Sequence, residues 1–389
     1  MSTAPYPFSP ATALAQAMGT IDETSQGVVL PIHVATTYIR GADNSYPTGN
    51  VYSRADNPSY KPVEALLCQL EQGSDALLFG SGMAAATAVF QALKPGDHVL
   101  APKVMYWALR NWLLGFAKDW GLQIELVDMT DSAAVKQALQ PGKTKLIWIE
   151  TPGNPTWTIT DIAAMADLAH SVGARLVVDS TCATPLLTKP ITLGADVVMH
   201  SATKYLNGHS DVIAGALISA RNDEYWQRVV NVRKGGGAVP SPHDAHQLLR
   251  GMRTMHLRVR EACHNAQYIA EQLQQHIDIA EVMYPGLASF AGHQIAAKQM
   301  RGGFGGMLSI RVAGGEQAAI AVAATTKLWK RATSLGGVES LIEHRASVEG
   351  PDSPCPPDML RLSAGIEDAN ELLADLQQAL AFARTHVRK

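Results

Sequence analysis

One lysine stands among small and apolar residues in the stretch V-M-H-S-A-T-K-Y-L-N-G-H-S-D-V-I-A-G, which begins at Val198. This lysine, Lys204, follows the apolar run Val197–His200, which predicts a buried strand. Another such run, Arg175–Asp179, ends in a carboxylate. A lysine amine that is removed from water has a lowered pKa and reacts as a nucleophile with carbonyl groups. A carboxylate buried at the edge of a sheet needs a cation as its partner.

Lys204 and Asp179 together fit one cofactor, pyridoxal phosphate. Its aldehyde condenses with an amine, and a carboxylate beside its pyridinium nitrogen keeps the ring an electron sink. Its phosphate needs donors, and Gly82 and Met83 follow Ser81 at the start of a predicted helix, where backbone N–H groups are free to bind an anion. Further predicted phosphate donors are the hydroxyl groups of Ser201 and Thr203, the phenol of Tyr52 and the guanidinium of Arg54.

The composition excludes several other classes of function. The chain has 389 residues, a formal net charge of −3 and basic residues that are scattered along it, which does not favour a nucleic-acid partner. No apolar run approaches the roughly 18 residues of a membrane span. The four cysteines form no C-x-x-C pair, and no metal site is predicted. We therefore expect a cytoplasmic enzyme that acts on a small molecule and binds neither nucleic acid nor a membrane.

Predicted strands and helices alternate over the first two thirds of the chain. This alternation indicates an α/β fold with a mostly parallel sheet that is covered by helices. Ligands of such sheets bind beyond the carboxyl ends of the strands. The residues from 277 onward are predicted to form a smaller α+β domain. The polar residues that follow predicted strands of the sheet are Ser81, Glu150, Asp179 and Lys204.

The chain resembles the Cys/Met-metabolism (trans-sulfuration) family of pyridoxal-phosphate enzymes, which includes cystathionine γ-synthase, cystathionine lyases and methionine γ-lyase. The resemblance rests on motifs that occur in the order of the family and span the chain. These motifs are Y-S-R-x-x-N-P at Tyr52, G-S-G-M-A-A at Gly80, E-T-P-G-N-P at Glu150, V-V-D-S-T at Val177, S-A-T-K-Y-L-N-G-H-S-D at Ser201, S-P-H-D-A at Ser241, S-L-G-G-V-E-S-L-I at Ser334 and R-L-S-A-G-I-E-D at Arg361.

The resemblance implies a type I fold, like that of aspartate aminotransferase, with a seven-stranded sheet and helices on both faces. The implied domains are an arm over residues 1–56, a cofactor-binding domain over 57–255 and a C-terminal α+β domain over 256–389. It also implies a homotetramer made of two dimers. In such a dimer Tyr52 and Arg54 would reach the phosphate of the neighbouring subunit.

The resemblance also assigns roles to matching residues. Lys204 resembles the Schiff-base lysine, Asp179 the partner of the pyridinium nitrogen, and Tyr106 the tyrosine that stacks on the ring. Arg361 resembles the residue that binds the substrate α-carboxylate, with Ser334 beside it. The remaining cofactor residues implied by the match are Asn154 near the ring hydroxyl and Gly82, Met83, Ser201 and Thr203 around the phosphate.

The sequence departs from the family pattern at positions near the substrate. Thr333 stands where cystathionine γ-lyases and γ-synthases usually carry a glutamate, and Ala108 replaces the cysteine of methionine γ-lyases. Arg345 replaces a proline in the H-P-A-S motif, with Glu349 shortly after it. Thr333 and Arg345 are predicted to select the substrate, although Arg345 and Glu349 could equally belong to a solvated loop. Trp107 is predicted either to pack in the core or to form a wall of the pocket.

Several reactions share this set of residues. The motifs S-P-H-D-A and Y-P-G-L-A-S-F resemble those of methionine γ-lyases and favour elimination of a γ-substituent from an L-amino acid such as methionine, cystathionine or canavanine. The alternatives are γ-replacement, which builds cystathionine or homocysteine from an activated homoserine, and β-elimination from cystathionine. A family member that has lost its chemistry and acts as a binding protein is a further alternative, which the intact Lys204, Asp179, Tyr106 and Arg361 oppose.

Overall fold

In the computed structural model, which describes residues 7–350 and 355–387, a seven-stranded sheet forms the centre of the larger domain. Its strand order is β1-β7-β6-β5-β4-β2-β3. Strand β7 runs antiparallel to β1 and β6, and the other neighbours are parallel. The mostly parallel sheet is therefore confirmed. The strands are β1 (Asp75–Phe79), β2 (His98–Pro102), β3 (Gln123–Val127), β4 (Thr144–Glu150), β5 (Arg175–Asp179), β6 (Val197–His200) and β7 (Gly215–Ser219).

Helices cover both faces of this sheet. Successive residues of β5 show the arrangement, because Val177 packs in the same core cluster as Val89 of α3, whereas Leu176 and Val178 pack in the cluster of Met165 of α6. The helices of the chain are α1 (Pro10–Ala15), α2 (Lys61–Glu71), α3 (Gly82–Gln91), α4 (Trp107–Trp112), α5 (Ser132–Ala138), α6 (Ile162–Ser171), α7 (Thr184–Leu187), α8 (Glu224–Gly236), α9 (Pro242–Met252), α10 (Met255–Leu273), α11 (His293–Gln299), α12 (Gly315–Thr325), α13 (Arg345–Glu349) and α14 (Ala369–His386).

A second sheet of five strands forms the C-terminal α+β part, with the order β10-β11-β12-β9-β8. Its strands are β8 (Ile279–Met283), β9 (Met307–Val312), β10 (Lys330–Arg331), β11 (Leu341–His344) and β12 (Met359–Ser363). Helix α10 contacts both parts, because Val259 lies in a core cluster that includes Ala216 and Ile218 of β7, and Ile269 lies in one that includes Leu308 and Ile310 of β9. The domain boundaries at residues 56 and 255 remain predictions.

The N-terminal arm exposes apolar side chains. Val28, Val34 and Ile39 are 77%, 64% and 90% exposed in the single chain. Several exposed apolar side chains in one segment suit an interaction surface, and the arm's contact with a neighbouring subunit stays a prediction. Across residues 7–350 and 355–387, no helix is both long and apolar enough for a membrane span.

A buried ion pair ties the arm to the sheet next to the predicted phosphate site. Arg233 of α8 pairs with Glu64 of α2 (Nη2 to Oε1, 3.3 Å), and Glu64 accepts a hydrogen bond from the N–H of Leu78 in β1 at 3.0 Å. Arg233 also donates to the carbonyl of Ala55, at 3.2 Å, next to Arg54. Burial raises the pKa of Glu64, and the charge of Arg233 opposes that rise.

Replacing Arg233 should destabilise the protein strongly. Arg233→Met leaves the Glu64 carboxylate buried without its cation, which should cost about 3–5 kcal/mol of folding free energy. Arg228→Met is the matched control, because Arg228 lies on the same helix but pairs with the exposed Glu224 and donates to the carbonyl of Ala92 at 2.9 Å, and its loss should cost only about 1–2 kcal/mol. Urea unfolding followed by circular dichroism would measure both. Equal losses in the two variants would contradict this account.

Candidate active site

A cavity of about 510 Å³ opens at the carboxyl edge of the parallel strands, and residues of both domains line it. It brings together nearly all the residues that the sequence predicts for the site. These are Gly82, Met83, Tyr106, Asn154, Asp179, Ser201, Thr203, Lys204, Thr333, Ser334, Arg345 and Arg361. Tyr52 and Arg54 do not line the cavity of their own chain, and the guanidinium of Arg54 lies 5.6 Å from the ring centroid of Tyr52.

Lys204 projects into this cavity from the turn that follows β6. Its Nζ donates a hydrogen bond of 2.7 Å to the Oγ of Ser334. Burial lowers the pKa of the Lys204 amine to about 8, and the positive charge of Arg361 contributes to the shift. An amine with this pKa is a nucleophile and a base near neutral pH.

Ser334 adopts a backbone conformation that is costly for a residue with a side chain. Its φ is +83°, in the left-handed region that favours glycine. The carbonyl of Ser334 accepts a hydrogen bond of 2.8 Å from the Nη2 of Arg361, which holds this conformation. The strained turn directs the hydroxyl of Ser334 to Lys204.

Two buried carboxylates end neighbouring strands beneath the cavity. Asp179 accepts hydrogen bonds from Thr181, at 3.0 Å from the backbone N–H and 2.6 Å from Oγ1, and burial raises the pKa of Asp179. Glu150 accepts from the N–H groups of Tyr106 and Asn154, at 2.8 Å each. Burial and the neighbouring Asp179 raise the pKa of Glu150 to about 8.

Glu150 is a site residue that the sequence prediction left without a role. Its two oxygens hold the backbone of Tyr106 and of Asn154, so it positions two predicted cofactor residues at once. The sequence feature that could have pointed to a role for Glu150 was its position at the end of β4, next to the strand that ends in Asp179.

The turn between β1 and α3 forms a cradle for an anion. The Oγ of Ser81 caps α3 by accepting from the N–H of Ala84 at 3.0 Å. A Cβ on Gly82 would lie 2.7 Å from the Oγ of Ser201, so only glycine allows this approach. Thr203 exchanges hydrogen bonds of 3.1 Å with the backbone of Ala214, which holds the turn before Lys204. The cradle, the Asp179 carboxylate and the Lys204 amine together fit pyridoxal phosphate.

Arg361 of β12 enters the cavity from the C-terminal domain. It is 5% exposed and pairs with Glu343 of β11 (Nη2 to Oε2, 2.6 Å). Its Nη1 donates to the Oδ1 of Asn154 at 3.2 Å. These partners hold a guanidinium within reach of a small carboxylate in the cavity, as the resemblance implies.

Arg345 and Glu349 are buried, so the alternative of a solvated loop is wrong for both. They are 5% and 8% exposed and line the cavity. Arg345 donates to Glu343 at 2.8 Å and to Glu349 at 3.2 Å, with a second, shorter bond to Glu349. Glu343 thus pairs with both Arg345 and Arg361. The two arginines and two glutamates form one buried network.

The aromatic residues near the cavity differ in burial. Tyr106 is 46% exposed, and Trp107 is half-buried and lines the cavity, with the guanidinium of Arg110 5.2 Å from its ring centroid. This favours the interpretation of Trp107 as a wall of the pocket. Two histidines that flank the Lys204 motif make structural hydrogen bonds: His200 bonds to the buried Glu71 at 2.6 Å, and His209 bonds to the carbonyl of Asn207 at 2.8 Å.

Comparison with known proteins decides the family. Residues 11–381 match the family described as Cys/Met metabolism PLP-dependent enzyme. This chain belongs to that family. The fold, the cofactor and the assignment as a pyridoxal-phosphate-dependent lyase of the trans-sulfuration type are thereby confirmed.

Relatives within the Cys/Met-metabolism family cover almost the whole chain. The cystathionine gamma-synthase of Mycobacterium tuberculosis is 43% identical over 377 residues, which are 95% of this chain and 96% of the relative. The cystathionine gamma-lyase of Bacillus subtilis is 39% identical over 92% of this chain and 96% of its own. The crystal structure of cystathionine gamma synthase from Xanthomonas oryzae pv. oryzae in complex with cystathionine has a TM-score of 0.93 at 38% identity and covers 98% of this chain and 100% of that chain.

The lowered pKa of Lys204 predicts a pH dependence in the enzyme freed of its cofactor. Since the neutral amine is the reactive form, labelling of Lys204 by an amine-specific reagent should rise with a midpoint near pH 8. Arg361→Met should move that midpoint to higher pH, because a neighbouring positive charge is lost. Peptide mass spectrometry after timed labelling would measure the midpoint.

The control for this measurement is Arg384→Met, since Arg384 forms a partly exposed ion pair with Asp278 and does not line the cavity. That variant should keep the wild-type midpoint. A wild-type midpoint near the ordinary lysine value of 10.5 would contradict the prediction.

Proposed function

We propose that this chain eliminates a γ-substituent from an L-amino acid and yields a 2-oxo acid and ammonia. The proposal rests on how the positively charged side chains of the cavity are already paired. Among the described residues that line it, the cations are Lys204, Arg345 and Arg361. Lys204 is assigned to the cofactor and Arg361 to the substrate α-carboxylate, while Arg345 is already paired with two glutamates.

A γ-replacement with an amino-acid thiol such as cysteine brings a second α-carboxylate into the cavity. That carboxylate would need a cation or several N–H donors to offset its loss of water. The pairing of Arg345 leaves none of the three cations for it. A reaction with one amino-acid substrate therefore suits the cavity better than one with two.

We assign the steps of the elimination to residues of this chain. Pyridoxal phosphate, when bound, supplies the electron sink that stabilises negative charge at Cα. Arg361 orients the substrate through its α-carboxylate. Lys204 takes the Cα proton and then moves a Cβ proton, and its hydrogen bond to Ser334 holds the amine in place for both transfers. Tyr106 donates a proton to the group that leaves Cγ, and water releases the 2-oxo acid and ammonia.

The second candidate is γ-replacement, which would join an activated homoserine to a thiol. It is favoured by the 43% identity to a protein named cystathionine gamma-synthase and by the fold match to another such enzyme in complex with cystathionine. β-Elimination uses the same first proton transfer and differs in the position of the leaving group. The identity of the product separates the three reactions.

We also propose that the site is completed by a second copy of the chain in a homotetramer of two dimers. Tyr52 and Arg54 are exposed and outside their own cavity, and the arm that carries them exposes apolar side chains. A guanidinium and a phenol suit the cofactor phosphate of a neighbouring subunit. The cytoplasmic location remains a prediction.

Product analysis tests the proposed reaction. The holoenzyme would be incubated with L-methionine, L-cystathionine, L-canavanine, and O-acetyl- and O-succinyl-L-homoserine, with and without cysteine. We expect 2-oxobutanoate and ammonia from at least one substrate. Lys204→Ala should lower that rate by about 10²–10⁴-fold. Pyruvate alone would indicate β-elimination, and faster formation of cystathionine from an acylhomoserine and cysteine would indicate γ-replacement.

The shared site predicts that Arg54→Ala weakens cofactor retention. Loss of one charge-assisted contact to phosphate should raise the dissociation constant of the cofactor by about tenfold or more. Arg40→Ala is the matched control, because Arg40 lies in the same arm and its guanidinium also lies over a tyrosine, 4.9 Å from the ring centroid of Tyr46. Equilibrium dialysis would measure retention. Equal affinity in Arg54→Ala and Arg40→Ala would contradict the shared site.

A further inference from the structure

We infer that Glu349 binds a positively charged group at the far end of the substrate, an ammonium or a guanidinium, and that Arg345 is the positioning residue for its carboxylate. This inference rests on the proposed function, because it names the class of substrate for the same cavity. The substrate is then an L-amino acid whose γ-substituent carries a cation.

The geometry places the Glu349 carboxylate on the wall that the smaller domain contributes. Arg345 and Glu349 begin and end the short helix α13, and both line the cavity, as do Val348 and Thr333. The Oε1 of Glu349 accepts from Nε of Arg345 at 3.2 Å, and its Oε2 accepts from the Sγ of Cys355 at 3.2 Å. Thr333 is uncharged. The carboxylate on this wall of the cavity is therefore that of Glu349.

The other two carboxylates of the cavity wall serve different purposes. Glu150 and Asp179 end strands of the larger domain and accept hydrogen bonds from Tyr106 and Asn154 and from Thr181 respectively. Among the described residues of the cavity wall, Glu349 is therefore the carboxylate that the C-terminal domain adds. Glu349 thus belongs to the smaller domain, whereas Glu150 and Asp179 belong to the larger one.

The balance of charge decides between a cation and an anion as the distal group. Arg345 and Arg361 are matched by Glu343 and Glu349, so the network is neutral before a substrate binds. The substrate α-carboxylate at Arg361 adds one negative charge. A distal anion would then meet two glutamates around Arg345 and a network with excess negative charge, whereas a distal cation restores neutrality.

Arg345 keeps Glu349 ready to bind a cation. Arg345 holds the Glu349 carboxylate in place in the cavity wall through two hydrogen bonds to Oε1. Arg345 is in turn held by Glu343, which also pairs with Arg361. The network therefore links the group that binds the α-carboxylate to the group that binds the distal cation.

The test uses ligands that resemble such a substrate and carry no leaving group on Cγ. L-Arginine and L-citrulline have distal groups of nearly the same shape, one charged and one neutral. Calorimetric titration of the holoenzyme should show arginine binding about tenfold more tightly, since a charge-assisted hydrogen bond contributes more than a neutral one. Because neither ligand can undergo γ-elimination, the result does not depend on the reaction that the enzyme catalyses.

Variants assign the preference to Glu349. Glu349→Gln should bring the arginine-to-citrulline affinity ratio close to one, and adding Thr333→Glu to that variant should restore part of the ratio by returning a carboxylate to the same wall. Asp358→Asn is the control, because Asp358 pairs with Arg311 and does not line the cavity, and it should keep the wild-type ratio. The cofactor absorbance of each variant reports whether the site is intact.

The outcomes separate this inference from the proposed function. Equal affinities in the wild type, or an equal weakening of both ligands by Glu349→Gln, would overturn it, because a residue that only maintains the shape of the cavity affects both ligands alike. If the wild-type enzyme prefers arginine over citrulline but forms cystathionine and no 2-oxobutanoate, only the γ-elimination proposal is rejected. If the wild-type enzyme forms 2-oxobutanoate but binds arginine and citrulline equally, only the role of Glu349 is rejected.

Discussion

The removal of the Lys204 amine from water is the constraint on which the rest of the site depends. Burial lowers the pKa of the amine to about 8, and the nearby charge of Arg361 favours the same neutral form. Burial disfavours the charged form of Lys204, so the neutral, reactive amine becomes available near pH 8 instead of near the ordinary lysine value of 10.5. The short turn after β6 and the hydroxyl of Ser334 then fix its direction.

The buried carboxylates around this amine are all hydrogen-bonded. Glu150, at the end of β4, accepts from the N–H of Tyr106, which follows β2, and Asp179, at the end of β5, accepts from Thr181 in the loop that follows it. The smaller domain brings Arg361 and Arg345 to the opposite wall. The two domains are joined near this point by the Nε1 of Trp157, which donates to the Oγ of Ser309 in β9 at 2.9 Å. The cavity thus exists where the domains meet.

Much of the larger domain follows from local patterns. The apolar runs predicted as strands, Arg175–Asp179 and Val197–His200, are strands with the same first and last residues in the structure. They could be predicted because a parallel strand that is buried on both faces has a nearly continuous apolar sequence. Strand β7 was not predicted, and its antiparallel pairing depends on β1, which is far away in the sequence. The chain from Pro242 to Leu273 forms two helices, α9 and α10, with Arg253 and Thr254 between them.

The sequence by itself indicated the cofactor, because Lys204 follows one apolar strand, Asp179 ends another, and parallel strands bring their carboxyl ends to one edge. It indicated the family through the resemblance of its motifs, which span the chain. Only the tertiary structure decided the place of Arg345 and Glu349. A charged pair on a short helix has the same local pattern on the surface and in the interior. Its burial depends on Glu343 of the adjacent strand and on Arg361 of the next, and such pairing across elements arises only when the chain packs.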